Sequence, residues 1–366
     1  MNPRQPHNPR QPQRPWLVRC VVLLALAAGC GPSKPAPVPP QDESTTPQDP
    51  VEHALQRLAD GDAAGAEKIL EAALVDAPDD HELWFSLAVA QQEQGRADDA
   101  VASYEKALAL KPGYAAALLG LGGLALDAGD PAAAEAHFSG ALEANPDFAA
   151  AHYNLAVARM RQGNMADARA PLEAAHRLEP EDVDVLVDLA KVLATANDRE
   201  PALELAKRAA SLAPKDVRAR MTYGWLLAQS GDHKAAGVEF EGAVAVAPND
   251  VEARLGLARA WVRTGKVAEA AAIFAALSAE VPDAAQIWAD WGAALAKLGD
   301  FGPAVEKLDE ALSRDPKLVA AHVRKVAALA QGGQCKRAKK AHRKLAQVGA
   351  SAKAQAAGKA ALSVCK

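Results

Sequence analysis

His81–Tyr114 reads HELWFSLAVAQQEQGRADDAVASYEKALALKPGY. Two apolar-periodic segments of helical length are separated by Gly95-Arg96, and Pro112 closes the second. Laid over the rest of the chain, this 34-residue stretch fits nine times without a gap, from about Pro47 to Ala350. Proline recurs at 78, 112, 146, 180, 214, 248, 282 and 316. Alanine recurs with the same step at 66, 100, 134, 168, 202, 236, 270, 304 and 338. Glycine recurs at 61, 95, 129, 163, 231, 265, 299 and 333, and Asn197 fills its one vacancy.

Each ladder has a physical reading. Glycine ends the first helix of a pair where the backbone turns left-handed, and Asn is the next most tolerant residue there. The Asp behind it (Asp62, Asp130, Asp198, Asp232, Asp300) is placed to cap the second helix. Asp80, Asp182, Asp216 and Asp250, two residues after the ladder proline, are placed to cap the following first helix. The alanine marks a close crossing of two helices. Tyr104, Phe138, Leu172, Phe240, Phe274 and Leu308 supply the large core side chain of the second helix. Pro171 falls inside the second helix of the fourth repeat, removes the bond back to Asp167 and is expected to kink it. The first helix is expected to begin near Val51.

A 34-residue period with Trp84-x-x-Leu87-Ala88, Leu118-x-x-Leu121-Gly122 and Trp288-x-x-Trp291-Gly292 resembles the tetratricopeptide repeat family. The resemblance implies an all-α, right-handed superhelical solenoid of about nine helix-turn-helix repeats over residues 51–350. A C-terminal capping helix over 351–366 is expected to follow, read from Ser351 to Val364. In this family the fifth, ninth and twelfth positions of the first helices face a concave, partner-binding groove. Here they hold Phe85, Val89, Leu119, Leu126, Tyr153, Val157, Met160, Val187, Met221, Trp225, Leu255 and Val262. Lys191, Arg161, Arg259 and Arg263 stand nearby. The Lys and Asn ladder with which family members clamp a C-terminal carboxylate is absent. That favours an apolar or amphipathic segment of a partner, and packing against neighbouring helices is the alternative for each side chain.

Ahead of the repeats, residues 1–19 carry Arg4, Arg10, Arg14 and Arg19 and no acid, and the apolar run Cys20–Ala28 precedes Gly29-Cys30. This is the order of a secretory signal over residues 1–29, and its run is far below the roughly 20 apolar residues of a spanning helix. Leu26-Ala-Ala-Gly-Cys30 resembles the lipobox of bacterial lipoproteins, although Ala27 replaces the preferred Leu. That implies cleavage before Cys30 and acylation there; an ordinary secretory signal is the alternative. Residues 30–50 are Pro-rich, polar and without aromatics, a linker rather than a core. Gly31, directly after the Cys, is not the Asp that resembles an inner-membrane retention signal in some bacteria, which favours the outer membrane.

From Val319 onward there are eleven Lys and Arg and no acid, whereas residues 1–318 sum to −16. Such asymmetry steers an anionic lipid, polymer or acidic partner toward the tail, or simply solvates the terminal repeat. Cys335 opens the last repeat's second helix and Cys365 closes the capping helix, so antiparallel packing brings both to one end. In an exported protein they are expected to form a disulfide, with two free thiols as the alternative. The remaining histidines are scattered, no HExxH, Cys-x-x-Cys or G-x-S-x-G occurs, and Gly120-Leu-Gly122-Gly123 lies within a helical repeat. No catalytic residue, metal site or cofactor is implied, and histidines are expected at solvent-facing helix ends. Nucleic acid is disfavoured by the signal and the acidic body.

The reading that results is a non-catalytic, membrane-tethered scaffold facing the periplasm and binding other envelope proteins. A sharper version resembles a pilotin-like accessory that helps a secretin or outer-membrane complex assemble. A different one is a module that holds cell wall or lipopolysaccharide through its basic end.

Overall fold

A computed structural model describes residues 49–365, and among these every regular element is a helix. The signal-like segment, Cys30 and the linker up to residue 48 lie outside the described residues. The chain forms two compact units that meet in sequence at Pro180 and Glu181.

In the first unit, α1 (Pro50–Ala59) pairs with α2 (Ala63–Asp76) and α3 (His81–Glu93) with α4 (Ala97–Leu110). The next hairpins are α5 (Ala115–Asp127) with α6 (Pro131–Ala144) and α7 (Ala149–Arg161) with α8 (Arg169–Leu178). The second unit continues with α9 (Val183–Thr195) and α10 (Arg199–Leu212), α11 (Val217–Ser230) and α12 (His233–Val246), and α13 (Val251–Thr264) and α14 (Val267–Glu280). It closes with α15 (Ala285–Leu298) and α16 (Phe301–Arg314), α17 (Val319–Gln331) and α18 (Cys335–Gln347), and a final α19 (Ala352–Ala361) that packs on α17 and α18. A 3-10 turn, Leu362–Cys365, follows α19. Within each unit, every hairpin packs on the next.

The ladders take the places their chemistry requires. All nine alanines, from Ala66 to Ala338, are fully buried. The ladder glycines have positive φ, and Asn197 adopts the same conformation at φ 67°. Tyr104, Phe138, Leu172, Phe240, Phe274 and Leu308 are buried, and glycines of the flanking first helices make room for several of them. A Cβ on Gly120 would lie 2.4 Å from the Tyr104 ring, and one on Gly122 would lie 2.3 Å from Phe138. The glycine-rich run in α5 therefore seats two rings.

Caps decide where helices begin, and prolines decide where caps fail. Asp62, Asp130 and Asp232 each accept from the backbone N–H three residues on, at 2.8, 2.9 and 3.0 Å. Asp198 and Asp300, expected to do the same, make no side-chain cap bond. Three residues beyond them stand Pro201 and Pro303, which have no N–H to offer. Asp80, Asp182, Asp216 and Asp250 cap their helices as expected. Asp49 caps α1, which starts on Pro50, one residue before Val51.

Pro171 does not kink a helix interior. Instead α8 begins only at Arg169, so the proline sits in the first turn, where no intrahelical donor is needed. The Asp167 carbonyl, deprived of its helical partner, accepts from Arg159 Nη1 at 3.0 Å. The same arginine binds Glu135 at 2.8 Å, so it ties α7 to both α6 and the shortened start of α8.

A further, partial ladder stands six residues after five of the eight ladder prolines. Trp84, His152, Arg220, Trp288 and His322 donate side-chain N–H groups to the carbonyls of Pro78, Pro146, Pro214, Pro282 and Pro316. Aromatic or long cationic donors at this phase thus satisfy a carbonyl beyond the helix end. His322 is buried in doing so, rather than lying at a solvent-facing end.

Hairpins of the first unit are tied by buried or half-buried carboxylates. Glu67 of α2 accepts from Gln94 at 2.8 Å and Arg96 at 2.6 Å. Burial raises its pKa, but these bonds and the Arg96 charge outweigh burial and hold it below its ordinary 4.5. Glu135, bonded to Arg159 and Gln162, is held low in the same way. A carboxyl depressed in the folded state stabilises it above the unfolded pKa, and that stability drains away as pH falls through the folded value. Hydrogen exchange at α2 and α3 is therefore expected to accelerate as pH drops below 4.5, after correction for intrinsic rates, and Glu67→Gln should flatten that dependence. An unchanged pH profile in the variant would remove Glu67 from the account.

Candidate functional site: the first-helix faces

In the first unit the expected groove is only partly open. Val89, Leu119, Leu126 and Tyr153 are buried, so at these positions packing against neighbouring helices dominates. Phe85, Val157 and Met160 remain half-buried. The Phe85 ring lies edge-on to Tyr114, 5.3 Å between centroids, and 5.8 Å from Tyr104. Burial, aided by the Glu93 charge, pushes the Tyr104 phenol far upward. Burial, aided by Glu82 and Asp80, pushes Tyr114 up to about 12. Both phenols stay neutral near pH 7 and act as packing groups. Arg161 donates to the Leu126 carbonyl at 2.7 Å.

In the second unit Val187 and Leu255 are buried, whereas Met221, Trp225, Arg259 and Val262 are half-buried. Lys191 pairs with Asp188 at 3.0 Å on α9. Along α11, α13, α15 and α17 lies a cleft of about 580 Å³ whose floor includes Phe240, Ala260 and Phe274. The Trp225 ring stands edge-on to Phe240, 5.0 Å away, with the Arg259 guanidinium 6.0 Å from its centre.

The cleft is more polar than expected from sequence. Asp290, nearly inaccessible, accepts from Arg259 at 2.8 Å on one oxygen. Its other oxygen accepts from Arg324 at 2.7 Å and Gln286 at 3.0 Å. Arg263 donates to His233 at 3.1 Å, and Lys297 to the Val262 carbonyl at 2.8 Å. Asp290, Arg324, Lys297 and Gln286 were missed by the groove positions. A signal was available in the ladder: Asp290 and Arg324 occupy a phase that elsewhere holds Ser86, Gly120, Asn154, Asp188, Thr222 and Gly256, and so carries small or polar residues rather than apolar ones.

At the C-terminal end Cys335 and Cys365 come together, with Cα atoms 5.4 Å apart, as a candidate disulfide pair. Among the described residues no cluster of His, Cys, Asp and Glu fits a metal ion, and no helix is long and apolar enough to cross a membrane.

Models of the tetratricopeptide repeat match residues 51–115, 91–138 and 119–183, and further ones match 160–226 and 227–298. The chain belongs to the tetratricopeptide repeat family. No curated protein matches it by sequence. Among solved structures, a tetratricopeptide repeat protein from Parabacteroides merdae is 21% identical, with TM-score 0.51 over 68% of this chain and 96% of that one. Pseudomonas aeruginosa pilF is 21% identical, with TM-score 0.53 over 56% of this chain and 93% of its own. PilW, a widely conserved type IV pilus biogenesis factor, is 23% identical, with TM-score 0.50 over 56% and 95%. At these identities the likeness is one of fold. Proteins of this tetratricopeptide fold work as interaction scaffolds.

Proposed function

We propose that this chain is a non-catalytic scaffold of a bacterial cell envelope, with a signal over residues 1–29, a lipid anchor on Cys30 and a linker through residue 50. Its repeats, over 51–350 with the capping helix beyond, bind segments of other envelope proteins on their first-helix faces. The observation that supports this best is the cleft floored by Phe240 and edged by Trp225. It is a preformed recess on the face that tetratricopeptide proteins use for partners. The Arg-rich start, the apolar run and Cys30 support export and tethering, more readily to the outer membrane because Gly31 follows the cysteine. The sharper reading, an accessory to assembly of a secretin or outer-membrane complex, draws on this combination of anchor and repeats by analogy.

The test is in-cell photocrosslinking from positions 85 and 225, with identification of the trapped protein. Trp225→Ala is expected to reduce a trapped and co-purifying partner about ten-fold or more, in keeping with loss of an aromatic anchor. Co-purifying proteins unchanged by Trp225→Ala and Phe85→Ala would sink the groove reading.

One observation favours a second reading. Lys336, Arg337, Lys339, Lys340, Arg343 and Lys344 are all exposed on α18, opposite its buried Ala338, Ala341 and Leu345. Such a face suits an anionic polymer of the cell wall or lipopolysaccharide. Sedimentation with purified sacculi separates the readings: only the polymer reading requires that charge reversal from Lys336 to Lys344 abolish it.

A further inference from the structure

The cleft of the second unit holds more positive charge than its own residues neutralise. Arg259, Arg263, Lys297 and Arg324 line it, and Asp290 is the only carboxylate among the lining residues. Asp290 already uses both oxygens on Arg259 and Arg324, which leaves that trio at a formal +1. Arg263 and Lys297 are bonded to an imidazole and a carbonyl, neither of which carries a negative countercharge. The cleft is therefore formally +3 beside an apolar floor, where low-dielectric walls strengthen the field felt by an incoming anion. Trp225 adds a half-buried flat surface at one end.

The cations are spread over α13, α15 and α17, and the aromatic surface lies on α11. A single small anion would meet one part of this array. An extended chain with carboxylates at intervals and an apolar side chain for Trp225 meets all of it. We propose that the cleft takes an acidic, partly apolar segment of a protein partner, and that Asp290 is a built-in competitor that lowers its affinity. Carboxylates of the segment meet Arg263, Lys297 and the outward N–H groups of Arg259 and Arg324, while Asp290 keeps the two guanidiniums in place when the cleft is empty. This inference rests on the scaffold reading and proposes an acidic, partly apolar segment in place of a purely apolar or amphipathic one.

The experiment uses the soluble repeat-bearing chain from residue 31 onward alongside the full lipidated chain, and a fluorescent peptide of alternating Glu and Leu as probe. Its Lys and Leu counterpart and heparin are the controls. Binding by the Glu peptide, weakened about ten-fold or more in Arg263→Gln/Lys297→Gln and by rising salt, is expected. Asp290→Asn is expected to tighten binding several-fold, since it removes the competing carboxylate. Equal binding of the Lys peptide, or heparin binding with the same dependence on every variant, would overturn the assignment to an acidic segment. So would weaker binding in Asp290→Asn with an unchanged thermal melt. If that variant unfolds, Arg263→Glu carries the test, because its side chain is exposed, bonds the ring of His233 rather than a carboxylate, and its charge reversal must abolish binding. Should no peptide bind while crosslinking at 225 still traps a partner, the acidic inference fails and the scaffold reading stands. Empty crosslinking as well would remove both.

Discussion

Truncating Phe240 to Ala is expected to cost the second unit about 3–5 kcal/mol, the range for emptying a buried aromatic site. The ring is 1% exposed and sits between two glycines, Gly224 of α11 and Gly256 of α13. A Cβ built on either would approach the ring to 2.8 Å, so backbone already stands as close as it can. Neither glycine has a side chain to swing into the void, and Trp225, edge-on to the ring at 5.0 Å, keeps its contact with the Arg259 guanidinium at 6.0 Å. Partial collapse is therefore hard, which places the variant toward the costly end. Because each repeat leans chiefly on its neighbours, the damage should be local. Hydrogen exchange should rise first in α11 through α14, and the cleft, whose floor Phe240 forms, should lose its partner along with its stability. A loss below about 1 kcal/mol would mean that the helices close around the gap, contrary to the glycine geometry.

The parts of this fold that were legible are those in which one residue reports one recurring environment. Ala236 can be read from Ala202 and Ala270 because all three meet the same helix crossing, and Asn197 from the glycines whose conformation it shares. The cap failures at Asp198 and Asp300 were legible too, in Pro201 and Pro303, which offer no N–H three positions on. The late start of α8 was harder. Pro171 excludes a helix through Asp167, but whether the chain kinks or restarts depends on Arg159 of the preceding helix taking up the freed carbonyl. The cleft was the least legible part. The period locates first-helix positions but says nothing of which side chain reaches across to which, so Arg259 appeared, with Lys191, Arg161 and Arg263, as one of several cations near an apolar groove. Its partners stand 31 residues on at Asp290 and, through Asp290, 34 further at Arg324. Burial of Val89, Leu119 and Leu126 was likewise set by neighbouring repeats, not by their own place in the helix.

Breaking the Cys335–Cys365 pair is the other change expected to have a large effect. A cross-link over 30 residues removes unfolded-state entropy worth about 3–4 kcal/mol in the chain-entropy account. Here little else secures the end of the chain. Gly358 is the only buried residue of α19, and Ala354, Ala361 and Leu362 are only partly covered. The charges work against closure: α18 carries six exposed cations, Lys353 and Lys359 add two more on α19, and no acid lies beyond Asp315. Like charges on packed helices repel, most strongly at low salt. Oxidised protein alkylated without reductant should show no free thiol at 335 or 365; two modified cysteines would dispose of the bridge. With Cys335→Ser or after reduction, α19 should lose its exchange protection, and added salt should restore part of it by screening the lysines. Exposure of Leu345 is the consequence to follow next, because α19 lies over it: a Cβ on Gly358 would come within 2.6 Å of the Leu345 side chain. The loss should then spread from α19 into the α17–α18 hairpin, whereas α11 through α14 should keep their protection, because nearest-neighbour coupling weakens over the intervening hairpin.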